Sequence, residues 1–178
     1  TNLQINGLGG DDLISLDLTV AAGMNIAVDG GASTSGNAVT IRGTQAGDNP
    51  IYTPSGVAGG QFATASLGSP LVLANVQSLT YDGDALGNNV TVLGTAAADT
   101  VVYTPGATRD SATVAVDSLL PLSFTNLGAG SVTVDGQGGQ DTLVARGTSG
   151  DDTLSVAPTT GTVSLTTVVG THVPLLRT

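Results

Sequence analysis

Apolar and polar residues alternate in short stretches along the whole chain, and turn-forming clusters of Gly, Asp, Asn, Pro and Ser separate them about every ten residues. Alternation with a period of two is typical of β-strands that have one buried face. In the middle of the chain the pattern predicts strands at Leu79–Tyr81, Val90–Leu93, Thr100–Tyr103, Ala112–Val116, Pro121–Phe124 and Val132–Val134. No segment keeps apolar residues at helical spacing over three turns, so we expect almost no helix.

One segment recurs along the chain at a nearly constant interval. A copy begins at Gly94, the next begins 53 residues later at Gly147, and the previous one begins 51 residues earlier at Gly43. Several landmarks keep this interval: Pro70, Pro121 and Pro174, and the Asp-Gly pairs at 29–30, 82–83 and 135–136. Because independent landmarks share one period, the chain is a tandem repeat. We divide it into a single array of four units: 1–27, which is short, 28–80, 81–133 and 134–178.

The first interval suggests how the repeat is built. Asn6-Gly7 precedes Asp29-Gly30 by only 23 residues. One coil of a β-helix takes roughly two dozen residues, so 23 residues indicate one coil and 53 indicate two. The sequence therefore predicts an all-β fold, a parallel β-helix or β-solenoid, whose cross-section is either triangular or a flattened two-sided roll. The alternative is a tandem antiparallel β-sandwich made from the same short strands.

Composition narrows the possible partners. All 14 acidic residues are aspartate, four arginines are the only basic residues besides one histidine, and the net charge is −10. Such a surface repels nucleic acid and anionic lipid, whose phosphates need clustered Lys or Arg. No apolar run reaches the roughly 18–20 residues that span a bilayer. The chain has no cysteine and opens on no signal segment, so we expect an extracellular or cell-surface protein whose export signal lies outside this sequence.

Two segments resemble a known calcium-binding repeat. Asn6–Leu13 reads Asn-Gly-Leu-Gly-Gly-Asp-Asp-Leu, Gly147–Ser155 has the same pattern of glycine and aspartate, and Gly139–Leu143 keeps its second half. These segments are similar to the nonapeptide of RTX (hemolysin-type) repeats in bacterial surface and secreted proteins. In such a motif the glycines allow tight turns and the aspartates supply the hard oxygen ligands that Ca²⁺ prefers. The resemblance implies Ca²⁺ at these residues: Asp11, Asp12, Asp141, Asp151 and Asp152.

The same aspartates have a second possible role. RTX sites need consecutive nonapeptides, whereas the good copies here are isolated, and Ala46 and Ala97 replace glycine in the middle copies. Aspartate side chains also cap turns by accepting hydrogen bonds from backbone N–H groups. The sequence leaves calcium binding and turn capping both open.

Catalysis has little support in the sequence. His172 is the only histidine and has no acidic residue near it in sequence, so neither a nucleophile–base pair nor a zinc site can be assembled around it. Paired carboxylates could serve a polysaccharide lyase or hydrolase on a β-helix, but few aromatic residues are present to bind sugar. We therefore expect no enzyme. The main hypothesis is a structural, self-stacking module of a large bacterial surface, matrix or filament-forming protein, and the alternative is an adhesin-like module for glycan or a host surface.

The two termini match consecutive parts of one repeat. Val173–Thr178 corresponds to the beginning of Leu120–Asn126, and Thr1–Gly7 corresponds to the segment that follows it. An uncapped solenoid end exposes unpaired strands and an apolar cross-section. We therefore expect head-to-tail stacking, either between separate chains or between tandem units of one longer polypeptide, which is an open arrangement that forms filaments. The residues expected at the end faces are Leu3, Ile5, Leu13, Leu175 and Leu176.

Overall fold

A computed structural model describes residues 1–19, 23–172 and 175–177, the last three by their backbone alone. Every regular element within these residues is a β-strand, which confirms the all-β prediction and the expected lack of helix. No helix in this part of the chain is long and apolar enough to cross a membrane. The strands are β1 (Asn2–Asn6), β2 (Leu13–Asp17), β3 (Asn25–Asp29), β4 (Ala38–Arg42), β5 (Ile51–Gly56), β6 (Gly59–Ala63), β7 (Leu71–Ala74), β8 (Ser78–Asp82), β9 (Val90–Leu93), β10 (Thr100–Pro105), β11 (Ala112–Val116), β12 (Leu122–Thr125), β13 (Val132–Asp135), β14 (Thr142–Ala145), β15 (Thr153–Ala157), β16 (Thr162–Thr167), β17 (Gly170–Thr171) and β18 (Leu175–Arg177).

The strands predicted for the middle of the chain agree with the structure to within two residues at each end. β9 and β11 have the predicted bounds, and β10 runs two residues further, to Pro105. The agreement follows from the strict alternation of buried and half-buried residues in these strands.

Two sheets contain all of these strands. The larger sheet has the order β1-β3-β7-β6-β5-β9-β13-β18-β16-β15, with β17 paired to β16. The smaller sheet has the order β2-β4-β8-β12-β11-β10-β14. The chain passes from one sheet to the other between most consecutive strands. The two sheets therefore form two opposite walls that extend side by side along the molecule.

Strands that follow these crossings pair in parallel with strands from earlier in the chain. Leu3 lies opposite Ile26, and Thr40 lies opposite Thr80, so neighbours in a sheet come from sequence positions 23 and 40 residues apart. Parallel pairing of this kind needs a crossing connection between the two strands. These pairs argue against a sandwich that is antiparallel throughout.

Three antiparallel meanders interrupt the parallel pairing. β5, β6 and β7 form one in the larger sheet, β10, β11 and β12 form one in the smaller sheet, and β15, β16 and β18 form one in the larger sheet. The expected division of 53 residues into two parallel coils is therefore wrong. Each repeat adds single strands and one meander.

The core lies between the two sheets. The ring of Phe62, on the larger sheet, packs against that of Tyr81, on the smaller sheet, with 5.5 Å between their centroids. The hydroxyl of Tyr52 donates a 2.8 Å hydrogen bond to the carbonyl oxygen of Leu120. Burial raises the pKa of Tyr52 above its ordinary range and that of Tyr81 to about 12. The inward residues of both sheets form one continuous apolar cluster.

The alternation of faces gives a test on one strand. We expect Leu79→Ala, at a fully buried inward position of β8, to lower the free energy of unfolding by about 2–5 kcal/mol, because a cavity replaces the side chain. Thr80→Ala changes the outward face of the same strand and should stay within about 0.5 kcal/mol of the wild type. Urea unfolding measures both. Equal losses for the two variants would contradict the assignment of the inner face.

Candidate functional site

A glycine and the aspartate five residues after it form the corner turn of the repeat. In the turn from Gly94 to Asp99, one carboxylate oxygen of Asp99 accepts the N–H of Thr95 at 2.7 Å and the other accepts the Thr95 hydroxyl at 2.8 Å. A Cβ atom on Gly94 would lie 2.7 Å from the Asp99 carboxylate. Glycine is therefore required because the carboxylate folds back over it.

The same turn recurs in the other copies. The carboxylate of Asp152 accepts the N–H of Thr148 at 2.6 Å and its hydroxyl at 2.8 Å, and Asp48 accepts the N–H of Thr44 at 3.2 Å. Backbone N–H groups at a turn have no strand partner, so an acceptor that reaches them stabilises the corner. Capping is thus the observed contact of these carboxylates.

A second set of side chains joins each corner to the next one. The N–H of the corner aspartate donates to a side-chain oxygen that is 25 to 42 residues later in the chain. The pairs are Asp12 with Asn37 at 2.9 Å, Asp48 with Asn88 at 3.2 Å, and Asp99 with Asp141 at 3.0 Å. Asn37 and Asn88 are completely buried. Each residue at this position therefore fixes the spacing of two neighbouring corners.

Asparagine and aspartate side chains also pair with each other at the ends of neighbouring strands, β3 with β7 and β8 with β12. The amide of Asn75 donates to Asp29 at 2.7 Å, and that of Asn126 donates to Asp82 at 3.0 Å. Each aspartate also accepts an N–H two residues ahead of it, so one carboxylate closes a turn and contacts the neighbouring layer. The side-chain amide contact lowers the pKa of Asp29 most strongly.

Asp11 lies in a cradle of backbone N–H groups. One of its oxygens accepts the N–H groups of Thr34 at 2.9 Å, Ser35 at 2.8 Å and Gly36 at 3.1 Å. These donors, that of Ser35 above all, lower the pKa of the Asp11 carboxyl group to about 2. The negative charge of Asp11 is thus matched by peptide dipoles.

The five aspartates predicted to bind calcium lie in three turns and make different contacts. Asp11 is held by the 34–36 segment, Asp12 and Asp141 belong to the links between corners, Asp152 caps its own turn, and Asp151 is exposed. Within the described residues, no three His, Asp or Glu side chains converge so that they could hold a metal ion. Calcium binding at these residues stays a prediction, and no step below depends on it.

His172 is buried beside the last hairpin. Its Nε2 atom lies 3.4 Å from the hydroxyl of Thr167, and burial lowers its pKa. Both side chains are less than a tenth exposed, so this pair faces the protein interior.

The end of the molecule that contains β1 and β2 exposes inward-facing positions. Leu3 is 39% exposed and Ile5 is half-buried, whereas Val132 and Val134, which hold the same repeat positions 129 residues later, are 0% and 2% exposed. Leu13 is largely exposed on the outer face of β2, whose inward-facing residues are Ile14 and Leu16. β1 and β2 each have one unpaired edge, because they are the first strands of their sheets. The predicted residues Leu3, Ile5 and Leu13 therefore lie at an end.

The opposite end exposes inward-facing positions as well. Leu154 and Val156 of β15 are 44% and 63% exposed, whereas Val101 and Tyr103, at the same positions 53 residues earlier, are 1% and 2% exposed. An apolar cavity of about 710 Å³ opens here, lined by Leu143, Ala145, Leu154, Val156, Ala157, Pro158, Gly161 and Val163. Among the described residues, β14 is the last strand of the smaller sheet at this end, so β15 and β16 have no strand facing them beyond it.

The last strand lies elsewhere than the sequence predicted. We expected Leu175 and Leu176 on an end face, but β18 is an internal strand, parallel to β13 on one side and antiparallel to β16 on the other. The side chains of Leu175 and Leu176 lie outside the described residues. The final meander runs back along the molecule, so its first strand, β15, occupies the edge.

Sequence reasoning missed Leu154 and Val156 as end-face residues. Both stand at repeat positions filled in the previous copy by Val101 and Tyr103, which mark them as inward-facing. Their exposure depends on the reversal of strand order within the meander, which the pattern of apolar residues does not encode.

The corner turns can be tested at Asp99. We expect Asp99→Ala to lower the free energy of unfolding by about 1–3 kcal/mol, because the part-buried N–H of Thr95 loses its acceptor, the carboxylate of the buried Asp99. The Asp99→Asn variant should lose less of the free energy of unfolding, since an amide oxygen can accept the same N–H. The loss of unfolding free energy, measured by urea unfolding, should be the same with and without a metal chelator. A loss that disappears in chelator would show that the carboxylate acts through a bound metal ion.

Acid should weaken the Asp11 cradle. The pKa of Asp11 is lower in the folded chain than its ordinary value of 3.8, so its stabilising effect is complete above that value and is lost as the pH falls towards about 2. Carbon-detected NMR titration should place the Asp11 carboxyl near pH 2. Asp11→Asn should reduce the slope of stability against pH between these two values. Titration of Asp11 near pH 4 would contradict the cradle.

Comparison with known proteins gives no relative from which a function can be transferred. No family, no curated protein and no solved structure matches the chain. Its candidate functional features are therefore those of its own geometry: linked polar corners along the sides and, at both ends of the described residues, apolar strands that are paired on one edge only.

Proposed function

We propose that the chain is a structural module, a flattened β-solenoid that stacks end to end with copies of itself in a surface, matrix or filament-forming assembly outside the cell. The observation that carries this proposal is the exposure, at both ends, of positions that are buried everywhere else in the array. The hydrogen-bonded corners make the module stiff, and the exposed apolar ends allow copies to associate.

The solenoid interpretation is supported by the parallel pairs that join the crossing strands. Rows of equivalent residues face each other across these pairs, as in Thr40 opposite Thr80 and Thr91 opposite Thr133. Each layer is then held by its neighbours through backbone pairing, apolar contacts and corner side chains. Stability in such an array comes mainly from contacts between adjacent units.

Association at the ends is supported by where the apolar surface lies. Among the described residues, eleven large apolar side chains are exposed, and eight of them lie before residue 14 or after residue 143. The eight are Leu3, Leu8, Leu13, Val144, Leu154, Val156, Val168 and Val169. Full burial of a valine or leucine stabilises by about 1.5–3 kcal/mol, so covering an end offsets a large part of the cost of association. Between these two end segments, only Ile51, Val57 and Val72 are large apolar residues exposed to this extent among the described residues.

A structural role also agrees with the chemistry of the surface. Charge is concentrated in aspartates, many of which accept backbone N–H groups at corners and so have a defined structural contact. The one ion pair found among the described residues joins Arg42 to Asp84 at 2.9 Å on the surface. A net charge of −10 keeps the sides of neighbouring assemblies apart, whereas the ends are apolar.

The test is association in solution. We expect the wild-type chain to form elongated oligomers in sedimentation velocity and linear particles in electron micrographs. Val156→Asp should reduce these to monomers, because it places a charge in the end face. Val57→Asp is the matched control: Val57 is 71% exposed in the β5–β6 turn, so this variant should still associate. A wild-type chain that remains a monomer would refute the proposal.

A further inference from the structure

We propose a defined joint between two copies of the chain, in which β1 of one copy pairs in parallel with β14 of the preceding copy and β2 pairs in parallel with β15. The inference rests on the proposed end-to-end stacking and specifies its strands and register. The occupant of the open end at β14 and β15 is thus the first coil of a second copy.

The repeat itself provides the template for this joint. Inside the chain, the strand that follows a meander pairs with the single strand that preceded that meander, as β8 does with β4 and β13 with β9. β14 is the single strand that precedes the last meander, and within the described residues its second edge is unpaired. The chain therefore holds a vacant pairing position of a kind that it fills twice internally.

The first coil has the sequence that this position accepts. Gly7-Leu8-Gly9-Gly10-Asp11-Asp12 has the same pattern as Gly136-Gln137-Gly138-Gly139-Gln140-Asp141, which places β1 at the repeat position of β13 and β2 at that of β14. β13 is a strand that follows a meander. A copy that presents β1 to the open end thus continues the order of the array.

The internal pairs fix the register of β1. Val132 lies opposite Val90, Thr133 opposite Thr91 and Val134 opposite Val92. Transferred by repeat position, these pairs place Leu3 opposite Leu143, Gln4 opposite Val144 and Ile5 opposite Ala145. Leu143 and Ala145 line the open cavity, so Leu3 and Ile5 enter the space that is empty in the single chain.

The register of β2 follows from the pair of β9 with β5. Tyr52 lies opposite Val92 in that pair, and both are buried. The equivalent residues at the joint are Val156 and Leu16, so Val156, which is 63% exposed in the single chain, becomes covered. The two strand pairs together close the apolar end.

The polar corners continue across the same joint. Inside the chain the N–H of Asp99 donates to Asp141 of the next layer at 3.0 Å. The equivalent donor at the open end is the N–H of Asp152, and the equivalent acceptor is Asp12 of the incoming copy. Apolar, backbone and corner contacts thus all specify one alignment of the two copies.

The joint also fixes the symmetry of the assembly. β1 belongs to the larger sheet of its own copy but joins the smaller sheet of the preceding one, since β14 lies there. Each copy is therefore turned by half a turn about the long axis relative to its neighbour. The contact is between unlike surfaces and remains open at both ends.

Disulfide trapping tests the register, because the chain has no cysteine of its own. Gln4→Cys and Val144→Cys are made in separate chains of different mass, mixed and oxidised. Directly paired residues of neighbouring strands are about 4.8 Å apart, within the range that a disulfide spans. Val144 is 36% exposed and Gln4 lies on the outer face of β1, so neither substitution opens the core. We expect the mixed dimer to form.

Gln4→Cys mixed with Thr142→Cys is the matched control. Residues 142 and 144 share one face of β14, but the shift by two residues separates the Cα atoms by roughly 8 Å, too far for a disulfide. We therefore expect loss of the mixed dimer in this control.

The outcomes separate the joint from the function. Association in sedimentation without the Gln4–Val144 dimer, or with an equal yield from the control, would overturn the register and leave end-to-end stacking intact. Monomers without any dimer would overturn both the joint and the end-to-end stacking. The proposed joint is supported if the mixed dimer forms between Gln4→Cys and Val144→Cys and does not form in the control.

Discussion

The satisfaction of backbone N–H groups at the corners is the constraint on which the rest of this structure depends. A chain that crosses repeatedly between two sheets leaves the sheet at every turn, and each turn exposes donors that strand pairing does not use. Here the acceptor comes from the side chain of the aspartate that ends the turn, as Asp99 shows with Thr95. The glycine opposite it is needed for steric reasons. Spacing of the repeat, strand register and placement of inward residues all follow from this small unit.

Corners of this kind also connect one layer with the next. Asn37 and Asn88 are completely buried, and each accepts a hydrogen bond from the corner of a neighbouring layer. A buried amide without partners is costly, so these residues tolerate only the alignment in which they are satisfied. The apolar interior could accept several small shifts of one layer on another, whereas the corners select one.

Much of the architecture could be predicted from the sequence, and the reason is local. Alternation within β9 and β11 predicts their bounds, since one face of each is buried. The repeat positions of Leu3 and Ile5 predict inward-facing residues, and the structure places both at an end. The path between strands could not be predicted, because a meander strand and a crossing strand have the same alternation. For that reason β18 was expected at an edge, whereas it lies between β13 and β16.

The position of the meanders has a mechanical consequence. β5–β7 widen the larger sheet, β10–β12 widen the smaller one, and β15, β16 and β18 widen the larger one again. A wall with extra strands on one side only would bend the molecule towards the other side. Because successive repeats place their extra strands on opposite walls, the bend of one repeat is cancelled by the next. Over each pair of successive repeats the two bends therefore oppose each other.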